Sequence, residues 1–361
     1  MGDMPPGTVL PEQTKVRPVR VGLLAVVAFL LICICVLVAF VMSSNSGAGK
    51  PSSTEVLSAT EAAVSQAQAV ERIGVTEAVG HEGVVYDLSS SDLLSVPGTD
   101  SVSLLVLSDS GVSTSSPQFN VSSINDAVSA IEGLGDCGFV FFDVNTGYGL
   151  TYNAGEEMYI ASSAKAPFIY WLLTSGIELS EYDRDLVDWT ITESDNASFE
   201  TLFMQYYEQG YEGFMAGYDV HHANYYGDFY PRMCARNLSS VWADILGYIR
   251  GGSPDAEWLA SLMGSTETSF IRNGLNGTGA TVLNKAGWID GPDYDGDYYY
   301  DEESGEYVAS GGYVSVTDAA IVQADGRTYL MVIVTSQSDS DVAEANVSAL
   351  ARALFDVRER M

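Results

Sequence analysis

Apolar positions change their spacing several times along the chain, and each change predicts a different element. Residues 21–42, VGLLAVVAFLLICICVLVAFVM, are apolar throughout and contain neither a charge nor a proline. Wound as a helix at 1.5 Å per residue they reach about 33 Å, enough to cross a hydrocarbon core of about 30 Å. The Ser- and Gly-rich residues 43–53 read as a flexible tether. Beyond them Val56, Ala63 and Val70 recur seven apart beside Leu57 and Val64, the spacing of a stalk helix too short for a coiled coil. Residues 75–121 alternate weak strand signals, GVVYDL and SVSLLVLS, with Ser-rich turns, and fix no fold.

From residue 122 the pattern sharpens. SSINDAVSAIEGLG places Ile124, Ala127, Val128, Ile131 and Leu134 on one helical face behind a Ser cap. CGFVFFDVNTGYGLTYN predicts a hairpin around Asn145-Thr146-Gly147. Helical spacing fills most of 160–265. TVLNKAGWI then reads as a strand, YVSVTDAAIVQADGRTYLMVIVTS as a hairpin turning at Asp325-Gly326, and Ala343, Val347, Leu350, Leu354 and Val357 as the buried face of a last helix. Strands at both ends of a unit with helices between them predict an α+β domain over 122–361, its N- and C-terminal strands sharing one antiparallel sheet.

Charge and cysteine usage constrain the setting. With 16 Lys and Arg against 48 Asp and Glu, a net charge of −32 excludes nucleic acid as a partner, since phosphate binding needs clustered bases. Lys15, Arg17 and Arg20 precede the apolar run and only Lys50 follows it closely. That asymmetry puts residues 1–20 in the cytoplasm, makes 21–42 a transmembrane anchor, and sends 43–121 and the domain beyond it outside. The run exceeds the h-region of a cleaved signal peptide. Cys33 and Cys35 lie within it and pack as small apolar groups. Cys137 and Cys234 lie in the exported part, where a disulfide and two buried thiols are both open. No Cys/His spacing suggests a metal, and nothing calls for a cofactor. The adjacent His221 and His222 read as exposed loop residues. Residues 290–307, with eight acidic residues, five tyrosines and no base, lack the EF-hand order and read as a solvated insertion beside a strand.

One residue resists the apolar pattern. YIASSAKAPFIYWLL, residues 159–173, carries Lys165 three places after Ser162 in a segment otherwise suited to a core. The chain has only four lysines, and Lys15 and Lys50 flank the anchor, so Lys165 and Lys285 alone lie beyond the tether. A lysine one turn from a serine shares its helical face. Burial lowers the lysine pKa from about 10.4 towards 7–8, where the amine can take a hydroxyl proton. Ser162 at a helix N-terminus would find backbone N–H groups for a developing oxyanion, and Pro167 fits only if the helix starts close by.

Ser-x-x-Lys alone is a weak pattern. Two more pieces follow it in order: Ser194-Asp195-Asn196 ahead of a helix, and Lys285-Ala286-Gly287 on a predicted strand. Ser-x-x-Lys, Ser-Asp-Asn and Lys-Thr/Ser-Gly mark class A β-lactamases and penicillin-binding proteins. The chain resembles that superfamily, and within it class A β-lactamase-like domains, over roughly 120–361. The resemblance implies a β-lactamase/transpeptidase-like fold, an antiparallel sheet flanked by a helical lobe. It further implies that Ser162 attacks and is acylated, that Lys165 takes its proton, and that Ser194 passes a proton to the departing nitrogen. Asn196 would hold the substrate amide and help to fix Lys165, and Lys285 would bind the substrate carboxylate. The backbone N–H groups of Ser162 and Trp288 would form the oxyanion hole, and Gly287 would leave room for substrate.

Departures from the pattern qualify the chemistry. Ala286 stands where the resemblance calls for Thr or Ser, removing a hydroxyl from the carboxylate site at a cost of about 1–3 kcal/mol in binding. The segment between Ser162 and Ser194 is short, which implies a trimmed lobe. No Glu-x-x-Leu-Asn follows Asn196; Glu208, Glu212, Asp219 and Asp228 stand in other contexts. In the class A β-lactamases that the chain resembles, that Glu activates the water that hydrolyses the acyl-enzyme, so its lack implies acylation followed by slow deacylation. The expectation is therefore a membrane-anchored extracellular serine hydrolase acting on a β-lactam or a peptidoglycan stem peptide ending in a D-Ala-D-Ala-like unit. The rival is a degenerate penicillin-binding or cell-wall sensor domain.

Overall fold

The structure, a computed structural model, describes residues 88–108, 111–221, 229–289, 298–301, 306–309 and 314–361, with 298–301 and 306–309 described by their backbone alone. The expected anchor at 21–42, the tether and the stalk helix lie outside the described residues. Among the described residues no helix is long and apolar enough to cross a membrane.

A seven-stranded antiparallel sheet organises residues 88–361. In chain order its strands are β1 (Ser103–Ser108), β2 (Gly111–Ser115), β3 (Cys137–Asp143) and β4 (Tyr148–Tyr152), then β7 (Thr281–Ile289), β10 (Ser315–Ala324) and β11 (Arg327–Thr335). Two-residue strands β5 (Met158–Tyr159) and β6 (Arg232–Met233) pair with each other, as do β8 (Tyr298–Asp301) and β9 (Glu306–Ala309). Across the main sheet the order is β2-β1-β4-β3-β11-β10-β7, so the strands before the helices meet those after them where β3 pairs with β11. The hairpin expected at Asp325-Gly326 is present. Its turn needs two left-handed residues, and Asp325 (φ 52°) and Gly326 (φ 75°) supply them.

Strict alternation divides the strands between two cores. On β3, Phe139 and Phe141 face one side and Val140 and Phe142 the other, all fully buried. β11 does the same with Tyr329, Met331 and Ile333 against Leu330, Val332 and Val334. The first side is covered by α2 (Ser122–Glu132), the short α9 (Phe270–Gly274) and α10 (Asp341–Asp356). The second carries the helical lobe: α3 (Lys165–Thr174), α4 (Glu181–Thr192), α5 (Asn196–Tyr206), the short α6 (Tyr211–Ala216), α7 (Ala235–Arg250) and α8 (Pro254–Gly264), with α1 (Ser90–Leu94) packed on α7.

Three sequence expectations change. Leu134 is 54% exposed, because α2 ends at Glu132 and the chain turns before Leu134 can rejoin the buried face. No side chain caps α2: its N-cap is Val121, and the Asn120 side chain instead accepts from the Ser122 N–H. The sheet also begins upstream of 122, since SLLVLS at 103–108 pairs with β4 and then with β2. Its alternating burial was the weak signal in that Ser-rich stretch.

The lobe is built around α3, which is apolar on all sides and so reads as a central helix. The Phe168 ring lies 5.1–5.5 Å from those of Trp171, Phe199, Phe203 and Tyr211. Phe168→Ala is expected to cost about 3–5 kcal/mol in urea unfolding, the usual range for a buried aromatic. Tyr182→Ala, at a position 61% exposed, is expected to stay within about 0.5 kcal/mol. A loss below 1 kcal/mol for Phe168→Ala would show that this cluster does not hold the lobe together.

Candidate active site

The site forms where the start of α3 meets the edge strand β7. A single 3₁₀ turn, Ala161–Ala164, carries Ser162 and runs straight into α3, whose first residue is Lys165. Pro167 therefore falls in the first turn, where its missing N–H costs nothing. Ala161 is held at φ 45°, a left-handed conformation that a residue with a Cβ adopts only when its surroundings impose it. The imposing contact is β7. Ser163 Oγ donates to the Lys285 carbonyl at 3.0 Å, with the Thr317 carbonyl at 3.5 Å, and so pins the turn to β7 and β10.

Gly287 makes that contact possible. A Cβ on it would stand 2.3 Å from the Ile160 carbonyl oxygen, 2.5 Å from the Ser163 nitrogen and 2.7 Å from the Ser162 nitrogen. The strand thus lies directly against the backbone that presents Ser162.

Lys165 is fully buried and hydrogen-bonded on every side. Its Nζ donates to the Ser194 carbonyl at 2.7 Å and to Asn196 Oδ1 at 2.6 Å, with Ser194 Oγ at 3.4 Å. Lys285, also buried, donates to Ser194 Oγ at 2.8 Å and to the Ala286 carbonyl at 3.0 Å. The Ser194 hydroxyl therefore lies between two amines. Ser194 itself is left-handed at φ 57°, held there as the chain leaves α4 and enters α5. The Asp195 carboxylate caps α5 by accepting from the Ser198 N–H at 2.7 Å, which sets Ser194 and Asn196 on either side of the cap.

Burial dominates the electrostatics. It brings the Lys165 pKa down to about 7, against a smaller upward pull from Asp195 and Glu200. Burial also holds Lys285 well below the ordinary lysine range, helped by the neighbouring charge of Lys165 and opposed by Asp318. The amine at Lys165 is therefore available as a base near neutral pH.

Ser162 is half-buried; its carbonyl accepts from the Lys165 N–H, and its hydroxyl has no hydrogen-bond partner among the described residues. It lies three residues before Lys165, in the 3₁₀ turn that runs into α3. The structure thus brings Lys165, Ser194, Asn196 and Lys285 into one hydrogen-bonded group and sets Gly287 against the backbone of Ser162. Ala286 does not join them. Its methyl is fully buried on the opposite sheet face, among the residues packed under α9 and α10, and only its carbonyl reaches the site. The residue expected to mark a lost carboxylate-binding hydroxyl is a core residue here, because strand alternation turns it away from Lys285. The half-buried Trp288 places its ring 6.2 Å from that of Phe270 and 6.0 Å from Lys285 Nζ.

Glu208, Glu212 and Asp219 are exposed on the short helical turns after α5, and Asp228 lies outside the described residues. His221, also exposed, faces Asp219 at 3.3 Å. Among the described residues no cluster of His, Cys, Asp and Glu could hold a metal ion. Of the two readings of Cys137 and Cys234, the structure has the buried free thiols. The acidic stretch 290–307 is described only through the β8–β9 backbone.

Sequence reasoning missed two aromatic neighbours of Lys165. The rings of Phe199 and Tyr230 lie 5.6 and 5.8 Å from its Nζ, and the Tyr230 hydroxyl donates to Asn196 Oδ1 at 3.1 Å. Phe199 was legible as a buried helix position. Tyr230, in GDFYPRM, carries no periodic signal at all.

With this geometry established, comparison with known proteins is informative. The model of the "Beta-lactamase enzyme family" matches residues 180–357, which include Ser194-Asp195-Asn196 and Lys285-Ala286-Gly287 and begin after Ser162. No curated protein matches the chain. Among solved structures, PBP-A is similar at 16% identity with a TM-score of 0.50, covering 66% of this chain and 97% of its own. The TLA-3 extended-spectrum β-lactamase is similar at 15% identity and 0.50, covering 65% and 98%. A β-lactamase from Sphaerobacter thermophilus DSM 20745 is similar at 16% and 0.50, covering 67% and 99%. These likenesses establish the fold.

Gly287→Ala is expected to destabilise the domain by about 1–3 kcal/mol in urea unfolding, the cost of forcing a methyl into a packed contact. Gly247→Ala, inside α7 with open space around it, is expected to stabilise by about 0.5–1 kcal/mol. Equal effects from the two would disprove the close approach of β7 to the Ser162 turn.

Proposed function

We propose that this chain, which matches a β-lactamase family model over residues 180–357 and has the β-lactamase fold, is a class A β-lactamase-like serine hydrolase that transfers an acyl group through Ser162. The observation that carries the reading is the hydrogen-bonded network in which two buried lysines, Lys165 and Lys285, meet Ser194 and Asn196, beside Ser162, whose hydroxyl has no hydrogen-bond partner among the described residues. In the proposed reaction neutral Lys165 takes the Ser162 proton as Oγ attacks the carbonyl carbon. The electron pair moves onto the carbonyl oxygen, where the N–H groups of Ser162 and Trp288 are the assigned donors. When the pair returns, the C–N bond breaks and the nitrogen takes a proton from Ser194, which is replenished from the lysines. An acyl-serine remains.

Two buried amines on one side of that serine favour an acyl donor with a carboxylate, which would restore the charge that burial has made costly on Lys285. A β-lactam and a D-Ala-D-Ala-like peptide both have this group. No carboxylate among the described residues hydrogen-bonds the Ser162–Lys165 region, and this favours slow hydrolysis of the acyl-serine. A penicillin-binding peptidase, or a sensor acylated once, fits such a site better than an efficient β-lactamase. The apolar run at 21–42 and the basic residues ahead of it support a membrane-anchored, extracellular placement for this chemistry.

The full chain in detergent, mixed with a penicillin and followed by intact mass, tests the reading. A penicilloyl adduct is expected on the parent and none on Ser162→Ala; the same adduct on both would remove Ser162 as the nucleophile. The rate should rise about tenfold from pH 6 to pH 8, because the reactive amine of Lys165 is the deprotonated form and titrates near 7. A rate flat over that range would mean that Lys165 is not the base.

A further inference from the structure

The segment that leads into β6 and α7 brings one residue over the lysine that lies outside all three motifs. Tyr230 donates its hydroxyl to Asn196 Oδ1 at 3.1 Å, and the same oxygen accepts from Lys165 Nζ at 2.6 Å. An amide oxygen has two lone pairs, and here both are taken. The Asn196 amide is thereby held with its oxygen inward on Lys165 and its NH₂ turned away from the lysine. Flipping it would set two donors against a lysine and a phenol that both donate.

The Tyr230 ring does separate work. It lies 5.2 Å from the Phe199 ring and 6.3 Å from Tyr159, and with Phe199 it walls the lysine Nζ at 5.8 and 5.6 Å. Phe199 belongs to α5 and Tyr230, its ring backed by Tyr159 of β5, to the segment entering β6, so two separate pieces of chain close over one amine. Charged and titratable groups around it are Lys285 from β7, and Asp195 and Glu200 at the start of α5.

We propose that Tyr230 is a positioning residue for the acyl-transfer site, its hydroxyl locking the Asn196 amide in the orientation that presents NH₂ to the acyl donor and its ring keeping water from Lys165. The proposal rests on the acyl-transfer reading for its kinetic consequence, while its effect on Lys165 can be read without any substrate. Two influences of the ring oppose one another. A ring face attracts an ammonium, but at almost 6 Å this is worth less than about one pH unit. Exclusion of water disfavours the ammonium and is the larger effect, since burial alone has already moved Lys165 from 10.5 to about 7. Opening the wall therefore raises the titration midpoint.

The experiment is a lysine titration of the full chain labelled with ¹³C at the lysine ε-carbon. With only four lysines, a Lys165→Arg control assigns the signal. Tyr230→Ala is expected to move the Lys165 midpoint up by at least about one unit, and Tyr230→Phe, which keeps the ring, to leave it within about 0.3. Thermal melts report whether each variant folds, and Tyr230→Phe preserves the packing if Tyr230→Ala does not. A Tyr230→Ala midpoint equal to the parent's, or a Tyr230→Phe shift as large as that of Tyr230→Ala, would overturn the water-excluding role.

The hydroxyl is read by acylation with a penicillin. Tyr230→Phe should slow adduct formation about three- to tenfold in the parent and leave it unchanged in an Asn196→Ala background. Equal slowing in both backgrounds, or none in either, would overturn the locking role. Failure of the parent to form any adduct would count against the acyl-transfer reading itself and leave the titration to decide on Tyr230.

Discussion

Two amines are buried within reach of one serine hydroxyl, with no carboxylate among the described residues hydrogen-bonded to either, and much of the architecture follows from that cost. An isolated ammonium in a low-dielectric interior is expensive, and two are worse, because each raises the cost of the other. The protein meets this with neutral acceptors: the Ser194 and Ala286 carbonyls, Asn196 Oδ1 and the Ser194 hydroxyl. Neutral acceptors satisfy N–H groups without stabilising the charge as strongly as a carboxylate would. Lys165 consequently gives up its proton near pH 7. A carboxylate at the place of Asn196 would form a firmer pair and a poorer base.

Maintaining such a site requires rigidity on both sides of it, and the fold supplies two anchors. On one side the 3₁₀ turn is pressed against β7 closely enough that only glycine fits at 287. On the other, α4 and α5 are joined by a left-handed serine and an aspartate cap, which orient the Ser194 carbonyl and hydroxyl in one short stretch. Ala161 and Ser194, two of the left-handed residues other than glycine, lie at these two anchors. Strain is tolerated there because the sheet and the lobe, each packed through its own core, over-determine the backbone between them.

How much of this was legible in the sequence follows from the kind of signal each part leaves. Strands β3, β7, β10 and β11 and helix α10 announce themselves through period and turn chemistry, so the half of the sheet nearest the site was readable. Lys165 was conspicuous as one of four lysines in an apolar run, and the order of the three motifs pointed to its partners. Strand β1 and the edge strand β2 beside it were not placed, since in that Ser-rich stretch β2 buries no residue fully and β1 only three, too few to mark a period. The side on which Ala286 falls depends on strand register, and a three-residue motif read as a string does not carry that. Tyr230 was invisible because a loop residue that meets a helix 34 positions away leaves no local pattern.

The two faces of β7 also divide the labour of handling charge. Lys285 points to the lobe, while on the opposite face Asp318 of β10, paired in register with Ala286, is buried in the second core. Desolvation pushes the Asp318 pKa up, but three donors oppose it: Ser269 Oγ at 3.0 Å, the Ile271 N–H at 2.9 Å and Asn284 Nδ2 at 2.8 Å. Asp318 in turn favours the charged form of Lys285 across the sheet, without touching it. A direct ion pair would neutralise Lys285 and leave nothing for an incoming anion. A carboxylate held one layer away softens the cost of the cation while keeping its donors on the Ser194 side. That separation explains why alanine suits position 286: the space beneath it belongs to packing around Asp318, and the polar work of the strand is done by Lys285 and by the backbone.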